Sequence, residues 1–369
     1  MYSKINEALA PNFTLPNVVK TEPAHRDGIV MVVYPKLLAS AYATIRVLRD
    51  VLGCRLPIEI WFRPDEVKLN DGMLAPLRHL ASTESNITFQ EISDPQSKRF
   101  FAKVHAIYHS FFDRVLFLDA DNVPVRDPSF LFESPEFIKT GAIFWPDFWH
   151  PRSTLFNIHA KSLLWELLDM ESVDMFEQES GQLVVDRRRH AAPLELVQFF
   201  AFHRPDFFSL LKLAWGDKDL FRFAWLKLDV PFFMVQTPPG MAGMVVNGSE
   251  FCGMTMVQHD ADGEVLFLHR NHQKLTGSSK AKAQPDSYPD PAIWTHLLRY
   301  RKDSNPKDYA VQPFWADLSF QKKHRCYGRH DIRHSPKFYL QEVAKLDFRG
   351  LETYLRRFAL ESVSLPKWI

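Results

Sequence analysis

In the stretch VLFLDADNVPVRDP (residues 115–128), four apolar residues run into two carboxylates one residue apart, Asp119 and Asp121. On an ideal strand these side chains would point to opposite faces. Past the strand's end, a turn can aim both at one cation, as hard oxygen ligands for Mg²⁺ or Mn²⁺. Such an ion keeps water or phosphate oxygens in its remaining positions, so a diphosphate is its natural guest. It would neutralise charge building up on a departing diphosphate. The same triplet also makes Asx-turns and recurs by chance, so its meaning rests on its surroundings.

Those surroundings begin with GIVMVVY (28–34), a dense β-branched run that reads as a buried strand. LLASAYATIRVLRDVLG follows, with Leu37, Ala41, Ile45, Leu48 and Leu52 at helical spacing and Gly53 past the last turn. LPIEIWF supplies a second strand, NITFQEI (86–92) a third, FAKVHAIYHSFF (101–112) a helix, and VLFLDAD the fourth strand. This alternation predicts a parallel, doubly wound α/β sheet with ligands at the carboxyl ends of its strands. Asp119 and Asp121 fall at such an end. GAIFWPDFW reads as a strand and aromatic loop, LLWELLDM (163–170) as a helix and GQLVVDR (181–187) as a strand. LELVQFFAFH (194–203) and LFRFAWLKL (220–228) read as helices around the loop AWGDKD. TMVQHDADGEVLFLHR (255–270) alternates about Asp-Ala-Asp-Gly, a hairpin signal, and its second strand ends at His269. After about residue 276 the chain turns basic and polar, then closes on KFYLQEVAKLDFRGLETYLRRFALESV, read as an amphipathic helical stretch.

A hydrophobic fraction of 46% with 31 Phe and 9 Trp excludes a disordered chain. Lys and Arg number 45 against 44 Asp and Glu, so the chain has no general attraction for nucleic acid or anionic membranes, and no nucleic-acid partner is expected. Cys54, Cys252 and Cys326 are odd in number and far apart, fit neither a disulfide framework nor a zinc ribbon, and are expected as buried thiols. His324, Cys326, His330 and His334 cluster without a standard zinc spacing among Lys and Arg, which points to a basic surface or phosphate patch. No run approaches the ~20 apolar residues of a membrane span, and MYSKINEALAPNFTLP holds no apolar signal core. As given, the chain reads as soluble, with no transmembrane segment.

Taken in order, VLFLDADNVPVRDPSFLFESPEF, GAIFWPDFW, ESGQLVVDRRRH, WGDKDLFRFAW and FCGMTMVQHDADGEVLFLHRN resemble the fungal-type α-1,2/α-1,3-mannosyltransferases of glycosyltransferase family 71. The resemblance runs from about residue 28 to 277. It implies a GT-A type nucleotide-diphospho-sugar transferase fold: α/β, with a mostly parallel Rossmann-like sheet flanked by helices and a C-terminal helical extension. It implies retaining, metal-dependent transfer of mannose from GDP-mannose to a hydroxyl of a glycan or glycoprotein, with Mn²⁺ (or Mg²⁺) as the ion. We accordingly divide the chain into an N-terminal extension (1–27), a catalytic domain (28–277) and a basic, helical extension (278–369) packed on it. Within the catalytic domain, the donor half runs to about 150 and the acceptor half from 151.

Carried onto this sequence, Asp119 and Asp121 match the family's Asp-x-Asp and would hold the metal and the donor diphosphate. His269, in HRNHQKLTG, resembles a late third metal ligand, and Lys274 could reach the same diphosphate. His269 could equally be a strand-end histidine bonded to backbone, and His259 competes as a ligand. Lys103 sits where family members also show Lys, placing it at donor phosphate or sugar, or on a solvated helix face. ESGQ resembles the donor-sugar loop, with Gly181 allowing close backbone approach and Gln182 touching the sugar; an ordinary turn is the alternative. GDKD resembles the loop lining the reacting face of the sugar in related retaining enzymes, making Asp217 and Asp219 candidates for its hydroxyls or the acceptor, or else solvent-facing carboxylates. Trp145 and Trp149 could stack on sugar faces, whereas Phe144 suits the core. No side chain stands out as a covalent nucleophile. A front-face path is implied, in which the leaving diphosphate oxygen helps deprotonate the incoming hydroxyl.

Two other readings stay open at the level of sequence. An apolar strand running into Asp-x-Asp-x-Val is also the nucleophile motif of haloacid-dehalogenase-type phosphatases, although here it comes late and WGDKDLF has Phe where a second metal-binding Asp is wanted. A catalytically silent glycan-binding relative would keep the fold without turnover. The family typically works in the Golgi lumen in protein glycosylation, so the resemblance implies a Golgi association, whereas a chain complete as given would be cytoplasmic.

Overall fold

The computed structural model describes residues 1–19, 24–70, 72–84, 86–278, 288–330, 332 and 335–365. Four parallel strands form one side of the first sheet: β1 (Asp27–Val33), β2 (Ile58–Phe62), β3 (Ile87–Glu91) and β4 (Arg114–Leu118), in the order β3-β2-β1-β4. Ile29, Val30, Met31 and Val33 of β1 are buried, as is all of β2, because helices cover both faces of a parallel sheet. Each such side chain contributes about 1.5–3 kcal/mol on burial. The crossovers are helical, through Leu38–Arg46, Ala75–Thr83 and Phe101–His109. The first continues into a wider turn in which Leu52 N donates to Val47 O at 3.0 Å, and Gly53 ends it with φ +69°.

After β4 the chain makes a short strand, β5 (Asn122–Pro124), then β6 (Ala142–Pro146), β7 (Gln178–Asp186) and β8 (Phe233–Met234). The first sheet is completed by β7 antiparallel to β4, β6 antiparallel to β7, and β8 parallel to β6. The remaining strands are β9 (Gly240–Val246), β10 (Glu250–His259), β11 (Val265–His269), β12 (His296–Tyr300), β13 (Gln312–Ala316), β14 (His324–Arg329) and β15 (Phe338–Glu342). They form a second, antiparallel sheet, β13-β14-β10-β9-β12-β15, with the expected hairpin β10–β11 at its heart. Pairings β9–β12 and β10–β14 join strands on either side of residue 277.

KFYLQE, expected as the start of a helical stretch, is instead strand β15, because Phe338 to Glu342 pair with Tyr300 to His296. The helix begins only at Leu351 and runs to Ser364, against the helix Leu38–Arg46, where Tyr42 Oη donates to Glu361 at 2.6 Å. Of the basic run after residue 276, residues 279–287 lie outside the described residues, as does His334 of the histidine cluster. A second correction concerns the cysteines. Cys252 and Cys326 form a disulfide, because β10 and β14 pair with Cys252 opposite Gly328. Cys54 remains a free, buried thiol. Among the described residues, no helix is long and apolar enough to cross a membrane.

Candidate active site

Asp119 leaves the end of β4 with its N–H still on the ladder, donating to Gly181 O of β7 at 2.9 Å. A tight turn follows, closed by Asn122 N on Asp119 O at 2.9 Å, so Asp119 and Asp121 escape the alternation of a strand. The turn feeds β5, which pairs antiparallel with β11 in the register Asn122 to His269. That register delivers the third group. His269 Nε2 lies 3.3 Å from Asp121 and 3.8 Å from Asp119. The ligand atoms of all three residues fall within 4.8 Å of one another, and the set of two carboxylates and an imidazole suits Mn²⁺ or Mg²⁺.

Glu179 holds the other edge of the imidazole, with Oε1 3.4 Å from Nδ1, while also accepting from Gly181 N at 2.7 Å. A carboxylate behind a metal-facing histidine fixes its orientation. Burial works against a charged His269, yet Asp121 and Glu179 outweigh it and raise its pKa to about 10. A site so biased toward positive charge would equally welcome a divalent cation. Burial also opposes ionisation of Asp121, but Lys274, in direct ion pair with it, and His269 hold it far below the usual carboxylate range. Gly181 serves the close approach expected of it, toward His269: a methyl there would lie 2.4 Å from Nδ1.

Lys103 is buried, not on a solvated helix face. Its Nζ donates to Ser180 O at 2.9 Å and lies 3.3 Å from Asp119 and 3.5 Å from Asp217. Burial disfavours its charge, but Asp119, Asp217 and Glu179 hold its pKa above the ordinary value. Asp217 is pushed up to about 6 by burial, Lys103 pulling the other way. Asp119, Asp121, Lys103, Asp217, Lys274 and His269 all line one cleft of about 680 Å³, in the range of small-molecule sites.

Two expected residues stand behind that cleft. Asp219 is fully buried, accepting from Arg222 Nη2 at 2.7 Å, Lys218 Nζ at 2.6 Å and Gln178 N at 2.9 Å, so its carboxylate has no face left for a sugar. Gln182 is fully buried opposite Leu118, and its Oε1 accepts from Asn122 Nδ2 at 2.5 Å. It braces the Asp119–Asn122 turn from behind. His259 is buried away from the ligand group, with burial pushing its pKa down to about 3. Trp145 is a core residue donating to His259 O at 2.7 Å, whereas Trp149 lines the cleft.

Sequence reasoning singled out the ESGQ and FWPDFW loops but not Glu179, Ser180 or Asp147 within them, and it missed Tyr34; all four line the cleft. Tyr34 follows β1, where the carboxyl-end rule pointed. Its phenol is pushed up to about 12 by burial and by Asp121 and Asp119. Glu179 carried no separate signal, because its role depends on a histidine ninety residues later in the chain. The phosphatase reading is not favoured: the third group facing Asp119 and Asp121 is His269, not the second loop Asp that such a site wants.

A mixed α/β sheet with four parallel strands, a carboxylate pair at the end of the fourth and a histidine closing it from a neighbouring hairpin is the arrangement of a GT-A type protein. The chain belongs to the family described as "Mannosyltransferase putative", whose model matches residues 26–260. It is 26% identical over 344 residues to the alpha-1,2-mannosyltransferase MNN5 of Saccharomyces cerevisiae, covering 79% of this chain and 58% of that protein. It is 29% identical over 243 residues to the alpha-1,2-mannosyltransferase MNN24 of Candida albicans, covering 57% of this chain and 34% of that protein. The chain thus spans about half the length of the curated relatives it matches. Among solved structures, the mannosyltransferase Ktr4p of S. cerevisiae aligns at 13% identity and a TM-score of 0.35, over 61% of this chain and 73% of that one.

Proposed function

We propose that the protein is a metal-dependent, retaining α-mannosyltransferase that moves mannose from GDP-mannose to a hydroxyl of a glycan. The observation that carries the reading is the Asp119, Asp121 and His269 group at the carboxyl end of the parallel sheet, in a chain of a mannosyltransferase family. These three residues would hold Mn²⁺, which when bound supplies Lewis-acid neutralisation of the leaving diphosphate.

The remaining roles belong to this chain's own groups. Lys274, partly exposed beside Asp121, offers a point charge to diphosphate oxygens. Lys103, fixed by Ser180, Asp119 and Asp217, is held rigid where the sugar meets the diphosphate. Asp217 presents a buried carboxyl to the sugar hydroxyls. Tyr34 and Arg99 line the cleft beside the ends of the first strands, where a nucleoside would lie. We favour a front-face path: the C1–O bond to diphosphate breaks, the acceptor oxygen bonds C1 from the same side, and its proton passes to the leaving oxygen.

The test is a heat-stability panel of GDP- and UDP-sugars, with and without Mn²⁺, on the wild type and Asp121→Ala. Ligand at about 100 times its Kd stabilises by about 2.7 kcal/mol. A Mn²⁺-dependent shift selective for GDP-mannose and lost in Asp121→Ala is expected. No shift with any donor, or one indifferent to Asp121, would sink the reading.

A further inference from the structure

The cleft does not end at the metal-ligand group. Strand β7 and its lead-in run along it, Ser180 beside Lys103 and, further back, Glu177. There Asp147, just past β6, is held by its N–H on Glu177 O at 2.8 Å. Its carboxylate lies 3.2 Å from Lys218 Nζ, which also donates to Glu177 and to Asp219, each at 2.6 Å. Asp147 and Lys218 are both buried, and both line the cleft.

Aromatic rings wall this end: Trp149, Phe156, Trp215 and Tyr327. Trp215 is 59% exposed yet fixed, its indole stacked on Phe156 at 5.8 Å with the planes 29° apart. Held in this way, it offers the cleft a large, rigid ring face. Lys218 Nζ, 3.2 Å from Asp147, lies 4.9 Å from the centre of the Phe156 ring on which Trp215 stacks, and such a grouping of indole and buried carboxylate suits a pyranose, whose C–H face is apolar and whose hydroxyls donate. The charge here selects further. Lys218 is already shared among Asp147, Glu177 and Asp219, and Arg222 is paired with Asp219, so the cluster offers no unpaired cation to a phosphorylated or carboxylated sugar.

We propose that this end of the cleft seats a neutral sugar ring of the acceptor, with Trp215 covering its C–H face and Asp147 taking hydrogen bonds from its hydroxyls. Naming that ring the acceptor's rests on the transferase reading above, which gives Lys103 and Asp217, 3.5 Å apart, to the donor.

The experiment measures binding by calorimetry and heat stability on the wild type, Trp215→Ala, Trp215→Phe and Asp147→Asn. Its probes are methyl α-mannopyranoside, an α-linked mannotriose and mannose 6-phosphate. GDP-mannose with Mn²⁺ is run on the same samples. The expected result is that neutral sugars bind the wild type, at least tenfold more weakly Trp215→Ala, and again Trp215→Phe. Mannose 6-phosphate should bind the wild type at least tenfold more weakly than the neutral glycoside, and the donor shift should persist in Trp215→Ala, showing that the variant is folded. Unchanged neutral-sugar binding in both Trp215→Ala and Asp147→Asn would overturn the seat, as would mannose 6-phosphate binding as well as the glycoside. A donor shift with no neutral-sugar binding would also overturn it. Trp215-dependent sugar binding with no donor shift would leave the seat standing and remove the transferase reading instead.

Discussion

Gly181 and His269 meet across two sheets so closely that a methyl group on the glycine would lie 2.4 Å from the imidazole Nδ1. The glycine's φ is not left-handed, so space and not backbone freedom is what the position requires. Gly181→Ala should push His269 off its two carboxylates and lower Mn²⁺ affinity by about tenfold or more, the scale seen when support around a ligand is lost. Calorimetric titration of Mn²⁺ reads this directly, with the thermal midpoint as the folding control. Unaltered affinity would mean that His269 is no ligand.

Glu179 touches the same ring from the other side, 3.4 Å from Nδ1. Glu179→Gln keeps the shape but removes the charge that orients the imidazole. We expect about a 10- to 100-fold loss of Mn²⁺ affinity. A variant that binds Mn²⁺ like the wild type would reduce Glu179 to a partner of the Gly181 N–H alone.

How much of this was legible in the sequence follows the range of the interactions. The β-α-β run, the Asp119 and Asp121 turn and the hairpin ending at His269 are written in local periodicity and turn residues, and all three stand in the structure. The family resemblance of ESGQ and GDKD made Gln182 and Asp219 candidates for sugar contacts. Their side chains turn instead to Asn122 and to Arg222 and Lys218, which no local pattern foretells. The pairing of Cys252 with Cys326 depends on the β10–β14 register, set by a strand 74 residues further on. KFYLQE alternates and pairs as a strand, but the helical pattern after it masked the break before Leu351.

Asp219 supplies a discriminating variant. Removing one partner from a buried ionic cluster leaves uncompensated charge and costs about 3–5 kcal/mol. Asp219→Ala should therefore lose stability on that scale by urea denaturation, with Lys218 and Arg222 stranded. A variant of wild-type stability but impaired sugar transfer would instead return Asp219 to the chemistry.

The disulfide ties β14, which carries Tyr327 of the cleft, to β10. Bonds closing loops of this length contribute about 2–4 kcal/mol. Spread over the unfolding entropy of 369 residues, that is roughly 3–5 °C in thermal midpoint. Cys326→Ser, or reduction of the wild type, should show this drop, and reduction should leave the variant's midpoint unchanged. Equal midpoints with and without reductant in the wild type would contradict the bond.

His190 gives a pH dependence whose sign can be worked out. Its Nε2 bonds Thr140 O at 2.8 Å, its ring lies 5.2 Å from that of Trp225, and burial lowers its pKa from 6.5 to about 4. Between those values the unfolded chain binds a proton that the folded chain refuses, so stability is fully present above pH 6.5 and drains away as pH falls toward 4. At pH 4.5 the loss from this one group is about 2 kcal/mol. Asp217, raised to about 6, works in the opposite direction, so the comparison must be between proteins that share it. Urea denaturation of the wild type and His190→Gln at pH 7.5 and 4.5 makes that comparison. The wild type should lose about 2 kcal/mol more than the variant over the interval. Parallel losses would show that His190 takes up its proton as readily folded as unfolded.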